Sequence, residues 1–142
     1  MAVYTDISQE NLDQFLSLYN MEEIISFEGI RNGVSNSNYL LFGKKNKYIL
    51  TIFEEMTNDK DLPYFFQLMN HLNNNNIMCP KVIKDKDSNF SNKLKGKQAA
   101  ISSFLEGQSI DHIKPFHCAE LGIMVAKFHN ASSKLEIHRE NE

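Results

Sequence analysis

The chain has little cysteine, no long apolar run and no excess of positive charge, and each absence excludes a class of protein. Its two cysteines, Cys79 and Cys118, lie far apart without Cys-x-x-Cys spacing, so we expect free thiols in a reducing compartment. No stretch approaches the roughly 20 apolar residues of a membrane span. Residues 1–10 lack the basic and apolar segments of a signal peptide. We therefore expect a soluble, cytoplasmic protein without a membrane partner.

The charge balance argues against a nucleic-acid partner. The formal net charge is −3, and no stripe of lysine and arginine is dense enough to follow a phosphate backbone. What the chain does have is 142 residues of which 42% are hydrophobic. At that size a folded chain buries roughly two-thirds of its unfolded surface, so a hydrophobic core is expected.

Three segments have the spacing and end signals of helices. Ser8 is a candidate N-cap for a helix over 8–20, and Asp61 with Pro63 opens a second helix that runs to about Asn73. Pro115 opens a third helix over 115–130. The apolar face predicted for the second helix, which we expect to lie against a sheet, is Leu62, Phe65, Phe66, Met69 and Leu72. The face predicted for the third helix is Cys118, Leu121, Met124, Val125 and Phe128.

Five apolar segments between these helices are short and bounded by turns, which is typical of strands. They are residues 24–31, 38–42, 47–53, 81–85 and 98–105. A polar hairpin is expected near 86–97, and 98–105 is expected to be central. The order predicts an α+β fold with a mostly antiparallel five-stranded sheet and the helices on one side of it.

Two segments could carry chemistry. The small polar loop at 33–39 starts with Gly33, and its backbone N–H groups and Ser/Asn side chains could hold phosphate oxygens. Read alone, this segment is more typical of an ordinary hairpin turn, which uses the same residues. At 102–107 an apolar strand runs out into a connector broken by Gly107, where unpaired backbone groups could hold an adenine edge. Read alone, that segment is more typical of an edge strand that ends at a turn.

Other candidate sites are weaker. His117 and His129 lie twelve residues apart, which does not suit a metal site. The carboxylates that follow the third strand are expected in an exposed turn; they are Glu54, Glu55, Asp59 and Asp61. No Gly-x-Ser-x-Gly motif or comparable nucleophile set is present, so hydrolytic catalysis is not indicated.

Eight segments, in this order along the chain, carry a resemblance to a known family: 2–5, 27–30, 33–41, 48–54, 61–63, 79–80, 103–107 and 117–122. Together they resemble the type II homoserine kinases of the aminoglycoside-phosphotransferase-like superfamily, which shares the protein-kinase fold. The resemblance extends over about residues 2–130.

The resemblance implies a two-lobed enzyme that transfers the ATP γ-phosphate to the hydroxyl of L-homoserine in threonine biosynthesis. Residues 1–106 would form the N-terminal nucleotide-binding lobe, and 107–142 the hinge and the start of a helical C-terminal lobe. ATP and Mg²⁺ would be the cofactors. The implied nucleotide-binding residues are Gly33, Ser35, Asn36, Ser37, Asn38, Leu50, Thr51, Ser103, Phe104 and Leu105. Leu50 could instead belong to the sheet core.

Two departures limit what this chain does alone. Thr51 occupies the position at which many kinases of this fold carry a phosphate-pairing lysine, and the following helix has Phe65 and Phe66 where its glutamate partner would be sought. The family's catalytic His-Gly-Asp motif does not occur in this sequence. We therefore expect no catalytic residue and no metal ligand in this chain, with the metal ligands in a C-terminal lobe.

Two alternatives stay open. The chain could be a non-catalytic lobe that binds a nucleotide or a partner, through self-association or through pairing with a C-terminal half. It could also belong to a kinase for another small alcohol or amine, since the acceptor site would lie mainly in the other lobe.

Overall fold

The structure is a computed structural model that describes residues 4–31, 35–55 and 58–139. Within these residues the chain forms three helices and six strands. The helices are α1 (Gln9–Leu16), α2 (Leu62–Asn74) and α3 (Pro115–Ser132). The strands are β1 (Ile24–Gly29), β2 (Ser37–Gly43), β3 (Lys47–Ile52), β4 (Val82–Ile83), β5 (Asn92–Leu94) and β6 (Lys97–Ser103).

The strands form one antiparallel sheet in the order β1-β2-β3-β6-β4, with β5 paired to β6 beside β4. The predicted α+β class and antiparallel sheet are confirmed. The addition is β5, which forms because Lys95 and Gly96 adopt positive φ angles of 50° and 82°. Two such residues make the tight turn that lets a hairpin close, so part of the predicted polar hairpin joins the sheet.

Helix α1 covers one face of the sheet. Ser8 caps it as predicted, because its Oγ accepts a hydrogen bond from Asn11 N at 3.2 Å. Leu12 and Phe15 are buried against the sheet. The helix is shorter than the predicted 8–20, since Lys86 N donates to the carbonyl of Leu18 and Lys86 Nζ to that of Ser17. These carbonyls therefore accept hydrogen bonds from Lys86 instead of from the N–H groups of a further helical turn.

Helix α2 covers the other face, so the prediction that the helices share one side is wrong. Leu62 and Phe66 pack with Val82 and Ala100, and Ala100 points away from its buried neighbours on the α1 side because side chains alternate along a strand. The predicted helix face is also wrong at two positions. Phe65 is 40% exposed, and Leu72 packs in a separate cluster with Ile77 and Ala131.

Helix α3 contacts the rest of the chain mainly at its C-terminal end. Ala131 is buried, and its carbonyl oxygen lies 2.8 Å from His71 Nε2 of α2. The chain then returns to the start of α2, where Arg139 pairs with Asp61 at 2.8 Å. The predicted apolar face of α3 is present but exposed. No helix in the described part of the chain is long and apolar enough to span a membrane.

Gly43 closes the β2–β3 turn in a space that only glycine fits. A Cβ there would lie 2.8 Å from the backbone oxygen of Asn46 and 2.8 Å from Cδ of Glu22. Neither neighbour can move away without losing hydrogen bonds. The Asn46 oxygen accepts one from Gly43 N at 2.8 Å. The Glu22 carboxylate accepts four hydrogen bonds, from the backbone N–H groups of Lys45 and Asn46 and the side chains of Asn46 and Tyr48.

We predict that Gly43→Ala lowers the free energy of unfolding by about 1–3 kcal/mol, the usual cost of overpacking. Urea denaturation followed by circular dichroism measures it. Gly107→Ala is the matched control, because its Cβ would enter open space, and it should stay within about 0.5 kcal/mol. Equal stability of the two variants would contradict the packing argument.

Candidate functional site

The site candidate lies on the α2 side of the sheet, where part of the sheet surface is uncovered. Several half-buried residues of β2, β3 and β6 lie on this side, and we call five of them the open face: Asn38, Leu40, Ile49, Thr51 and Ser102. Strand register joins them, since Asn38 pairs with Thr51, and Ile49 pairs with both Leu40 and Ser102. The result is a continuous strip with a polar end at Asn38 and Thr51 and an apolar middle at Leu40 and Ile49, where Ser102 lies beside Ile49 on β6.

The two segments singled out in the sequence border opposite ends of this strip. Ser37 pairs with Ile52 at the end of β3, whereas Ser103 pairs with Tyr48 near its start. Four residues of strand separate these positions, or roughly 13 Å. A ligand that touches both segments would therefore lie along the sheet face, parallel to β3.

At the β2 end, the described loop residues are tied to β3. Asn36 Oδ1 accepts a hydrogen bond from Glu54 N at 3.2 Å, and Asn38 Nδ2 donates to the Asn36 carbonyl at 3.4 Å. Ser35 and Asn36 are both half-buried. Gly33 lies outside the described residues. Asn36 and Asn38 thus come together at one end of the open face, whereas Ser35 lies beside Glu54.

Thr51 lies within this group and bonds to it. Its Oγ1 donates to Asn38 Oδ1 at 2.8 Å. The geometry differs from the lysine–glutamate pair of protein kinases, which joins the third strand to the next helix. No acidic residue occurs between Leu62 and Asn74 in α2, so Thr51 is linked sideways to β2 instead.

Two of the implied site residues point into the protein on the α1 side. Ser37 and Leu50 are both fully buried, and Leu50 packs in the cluster that includes Phe15 of α1. The Leu50 side chain therefore belongs to the sheet core, the second of the two roles expected for it.

At the opposite end, the backbone of residues 103–105 changes from paired to unpaired. Ser103 N donates to the Lys81 carbonyl at 2.9 Å, and Phe104 N donates to the Lys47 carbonyl at 3.2 Å. For Leu105, which is 41% exposed, the described residues provide no hydrogen bond to the backbone N–H or C=O. An exposed strand end with unpaired groups can hydrogen-bond the edge of a planar ligand.

Comparison with known families decides the assignment of this fold. Residues 26–140 match the phosphotransferase enzyme family. The chain belongs to this family.

Similar proteins agree with the assignment. The homoserine kinase of Parvibaculum lavamentivorans is 40% identical over 141 residues, which cover 99% of this chain and 44% of that protein. The homoserine kinase of Methylobacterium radiotolerans is 42% identical with the same coverage of both proteins. The chain thus spans less than half the length of these curated relatives, and the match to kinases expected from the resemblance is confirmed.

Solved phosphotransferase structures share the fold at low identity. The spectinomycin phosphotransferase APH(9)-Ia, in complex with ADP and spectinomycin, has a TM-score of 0.72 at 14% identity, with 96% of this chain and 43% of that chain covered. A microcompartment-associated aminopropanol kinase has a TM-score of 0.68 at 14% identity, with 94% and 45% covered. The predicted kinase-like N-terminal lobe is confirmed.

A buried polar cluster of this phosphotransferase lobe was not predicted. We expected Glu54 in an exposed turn, but it is only 8% exposed. Its carboxylate accepts hydrogen bonds from Thr5 Oγ1 at 2.8 Å and Ser37 Oγ at 2.5 Å, and it forms an ion pair with Lys97. We call these four residues the Glu54 cluster. Strand alternation was the missed signal, because Glu54 continues the buried series of Leu50 and Ile52 on the α1 side.

The surroundings of Glu54 favour its charged form. Burial by itself raises the pKa of this carboxyl, but the hydrogen bonds from Lys97, Ser37 and Thr5 outweigh that effect and hold the pKa below its ordinary value of 4.5. The carboxylate is therefore ionised at neutral pH. It acts as a fixed acceptor at the end of the sheet that carries Asn36 and Asn38.

We predict that this carboxylate makes stability depend on pH. Since the pKa is lowered by folding, the stabilisation is complete above the ordinary value of 4.5 and is lost as the pH falls through the folded-state value. The gap in unfolding free energy between wild type and Glu54→Gln should therefore narrow on acidification. Urea denaturation at several pH values measures it.

The wild-type protein must be compared with Glu54→Gln, because the pKa values of Glu22 and Asp85 are lowered too. These two carboxylates also make the protein less stable as the pH falls. A gap that stays constant down to strongly acidic pH would show that the charge of Glu54 is not the source.

Proposed function

We propose that this chain is the N-terminal, nucleotide-binding part of a homoserine kinase, an enzyme that phosphorylates the hydroxyl of L-homoserine with ATP. The observation that carries the proposal is the 40–42% identity to curated homoserine kinases over 99% of the chain. On this proposal residues 1–106 form the nucleotide-binding lobe, and 107–142 form the hinge and the first part of a second lobe.

The open face gives the nucleotide a defined direction. The adenine edge would meet the backbone of Ser103–Leu105, where Leu105 has exposed, unpaired groups. The ribose would lie over the apolar middle at Leu40 and Ile49. The phosphates would then reach the loop at the start of β2, which in the described residues offers Ser35, Asn36 and Asn38, with Thr51 beside them.

The phosphate end of this site contains neutral groups. Amide and hydroxyl dipoles can hold phosphate oxygens, but they do not neutralise the developing charge of phosphoryl transfer as a lysine and metal ions do. Within the described residues, no group of three or more His, Cys, Asp or Glu side chains could hold a metal ion. The described residues therefore do not form a magnesium site by themselves, and we derive no step through magnesium.

Transfer to homoserine would require groups that this chain lacks. Phosphoryl transfer depends on an aspartate that orients the attacking hydroxyl, and the sequence contains no His-Gly-Asp motif. The curated relatives are more than twice as long as the matched region. We propose that the second lobe supplies catalysis and the acceptor site, while this chain orients ATP.

We predict that the chain binds ATP but forms no phosphohomoserine when incubated with ATP, magnesium and homoserine. Isothermal titration calorimetry measures binding, and a coupled ADP assay measures turnover. Robust turnover would show that the catalytic residues are in this chain.

Asn38→Ala should weaken ATP binding roughly threefold to tenfold, the value of one neutral hydrogen bond. Asn70→Ala on the exposed side of α2 is the matched control and should bind as wild type. Equal binding by both variants would remove the open face from the proposed site.

A second candidate function, a partner-binding lobe, is favoured by the apolar surface of α3. Leu121 is 65% exposed, Val125 44%, and Met124 and Phe128 39% each. A surface of this kind marks an interaction site. We propose that it packs against a C-terminal lobe of the kind that completes the curated relatives, and that the isolated chain self-associates through it.

We predict that the isolated chain elutes as an oligomer in size-exclusion chromatography and binds an apolar dye. Leu121→Gln should reduce both effects. Ile25→Gln on β1, where the side chain is 66% exposed, should change neither. A monomeric wild-type chain without dye binding would contradict this proposal and leave the nucleotide site unaffected.

A further inference from the structure

Glu54 is bonded to two consecutive residues at the start of β2 by two different groups. Its backbone N–H donates to Asn36 Oδ1 at 3.2 Å, and its carboxylate accepts from Ser37 Oγ at 2.5 Å. The same residue thus fixes one residue before the strand and the first residue of the strand. Both lie beside the proposed phosphate end of the open face.

The ion pair of the Glu54 cluster cannot bind a ligand on the open face directly. Glu54 and Lys97 continue the buried series of β3 and β6 on the α1 side, since Lys97 is two residues before the fully buried Ala99. Lys97 Nζ also donates to Thr5 Oγ1 at 2.9 Å. Any effect of this pair on a nucleotide must therefore pass through Ser37 and Asn36.

The Ser37 hydroxyl is the central contact of the cluster. It donates to Glu54 and accepts hydrogen bonds from the backbone N–H groups of Tyr4 at 2.8 Å and Thr5 at 2.9 Å. With these bonds made, Ser37 is fixed on the α1 side. Because side chains alternate along a strand, Asn38 must then point to the open face, where it meets Thr51.

We propose that Glu54 is a positioning residue that fixes the start of β2, so that Asn36 and Asn38 are held ready for the phosphates of the nucleotide. The inference rests on the proposed nucleotide site. It assigns to Glu54, on the opposite side of the sheet, the role of supporting that site. A slip of β2 by one residue would turn Asn38 inward. The Glu54 carboxylate opposes that slip because it holds Ser37 as a charged acceptor. A neutral amide would be a poor substitute for it beside Lys97.

Glu54→Gln tests the proposal, with Glu22→Gln as the matched control. Both carboxylates accept several hydrogen bonds and both hold a strand end, but Glu22 acts at the β2–β3 turn, away from Asn36. Amide hydrogen exchange of residues 35–38 reports on the loop without any ligand. Titrations with ATP and with adenosine separate the phosphate end of the site from the adenine end.

In Glu54→Gln we expect amide exchange at 35–38 to accelerate by about tenfold or more. ATP binding should weaken about tenfold, in line with the loss of a charge-assisted hydrogen bond. Adenosine binding should stay within about twofold of wild type. In Glu22→Gln, exchange at 35–38 and the ratio of ATP to adenosine affinity should be unchanged, even where thermal stability falls.

Two results would overturn the proposal: unchanged exchange at 35–38 in Glu54→Gln, or an equal loss of ATP and adenosine affinity. If Glu54→Gln does not fold, the milder Ser37→Ala must give the same pattern, and its failure to do so overturns the proposal equally. If the wild-type chain binds neither ligand, the proposed function fails by itself. The exchange comparison then still decides whether Glu54 holds this segment.

Discussion

Strand β3 is hydrogen-bonded along both edges, to β2 on one side and β6 on the other, and this double pairing fixes the direction of every side chain on it. The side chains of Leu50, Ile52 and Glu54 point to the α1 side of the sheet. Those of Ile49 and Thr51 point to the α2 side. One choice of register therefore creates both the main core and the open face. Core packing and ligand geometry cannot be changed independently, because a slip of one residue exchanges them.

The two sides of the sheet are completed to different degrees. On the α1 side, Leu12, Leu41, Leu50 and Ile101 are fully buried, so this side forms the continuous core. On the other side α2 covers only the region around Ala100, and the neighbouring strip stays half-buried. Helix α3 is also poorly covered, since Ala131 is its one buried residue in the described structure. Much of the uncovered apolar area therefore lies on α3, where Leu121 is 65% exposed.

The proposed nucleotide site differs in its electrostatics from that of protein kinases. A lysine on the third strand usually meets the phosphates directly, whereas here Thr51 contributes a hydroxyl bonded to Asn38. The lysine–glutamate pair of this lobe lies on the opposite side of the sheet, between Lys97 and Glu54. In our proposal this pair holds the start of β2 through the bond between Glu54 and Ser37. A site of neutral dipoles then depends on accurate placement, because dipolar interactions weaken faster with distance than those of a full charge.

Local signals in the sequence determined the elements whose formation depends on near neighbours. Ser8 as a cap, Pro115 as a helix start, and the β2–β3 turn near Gly43 follow from hydrogen bonds and dihedral preferences within a few residues. Strand alternation indicates the side of the sheet on which Glu54 lies, but three other features were decided only by the tertiary structure. They are the partners of Glu54, since Thr5 and Lys97 are distant from it in sequence; the exposure of Phe65, since α2 packs on a rotated face; and the placement of α1 and α2 on opposite sides of the sheet. Each depends on which surfaces meet, and a pattern that repeats along one segment carries no information about the segment it will face.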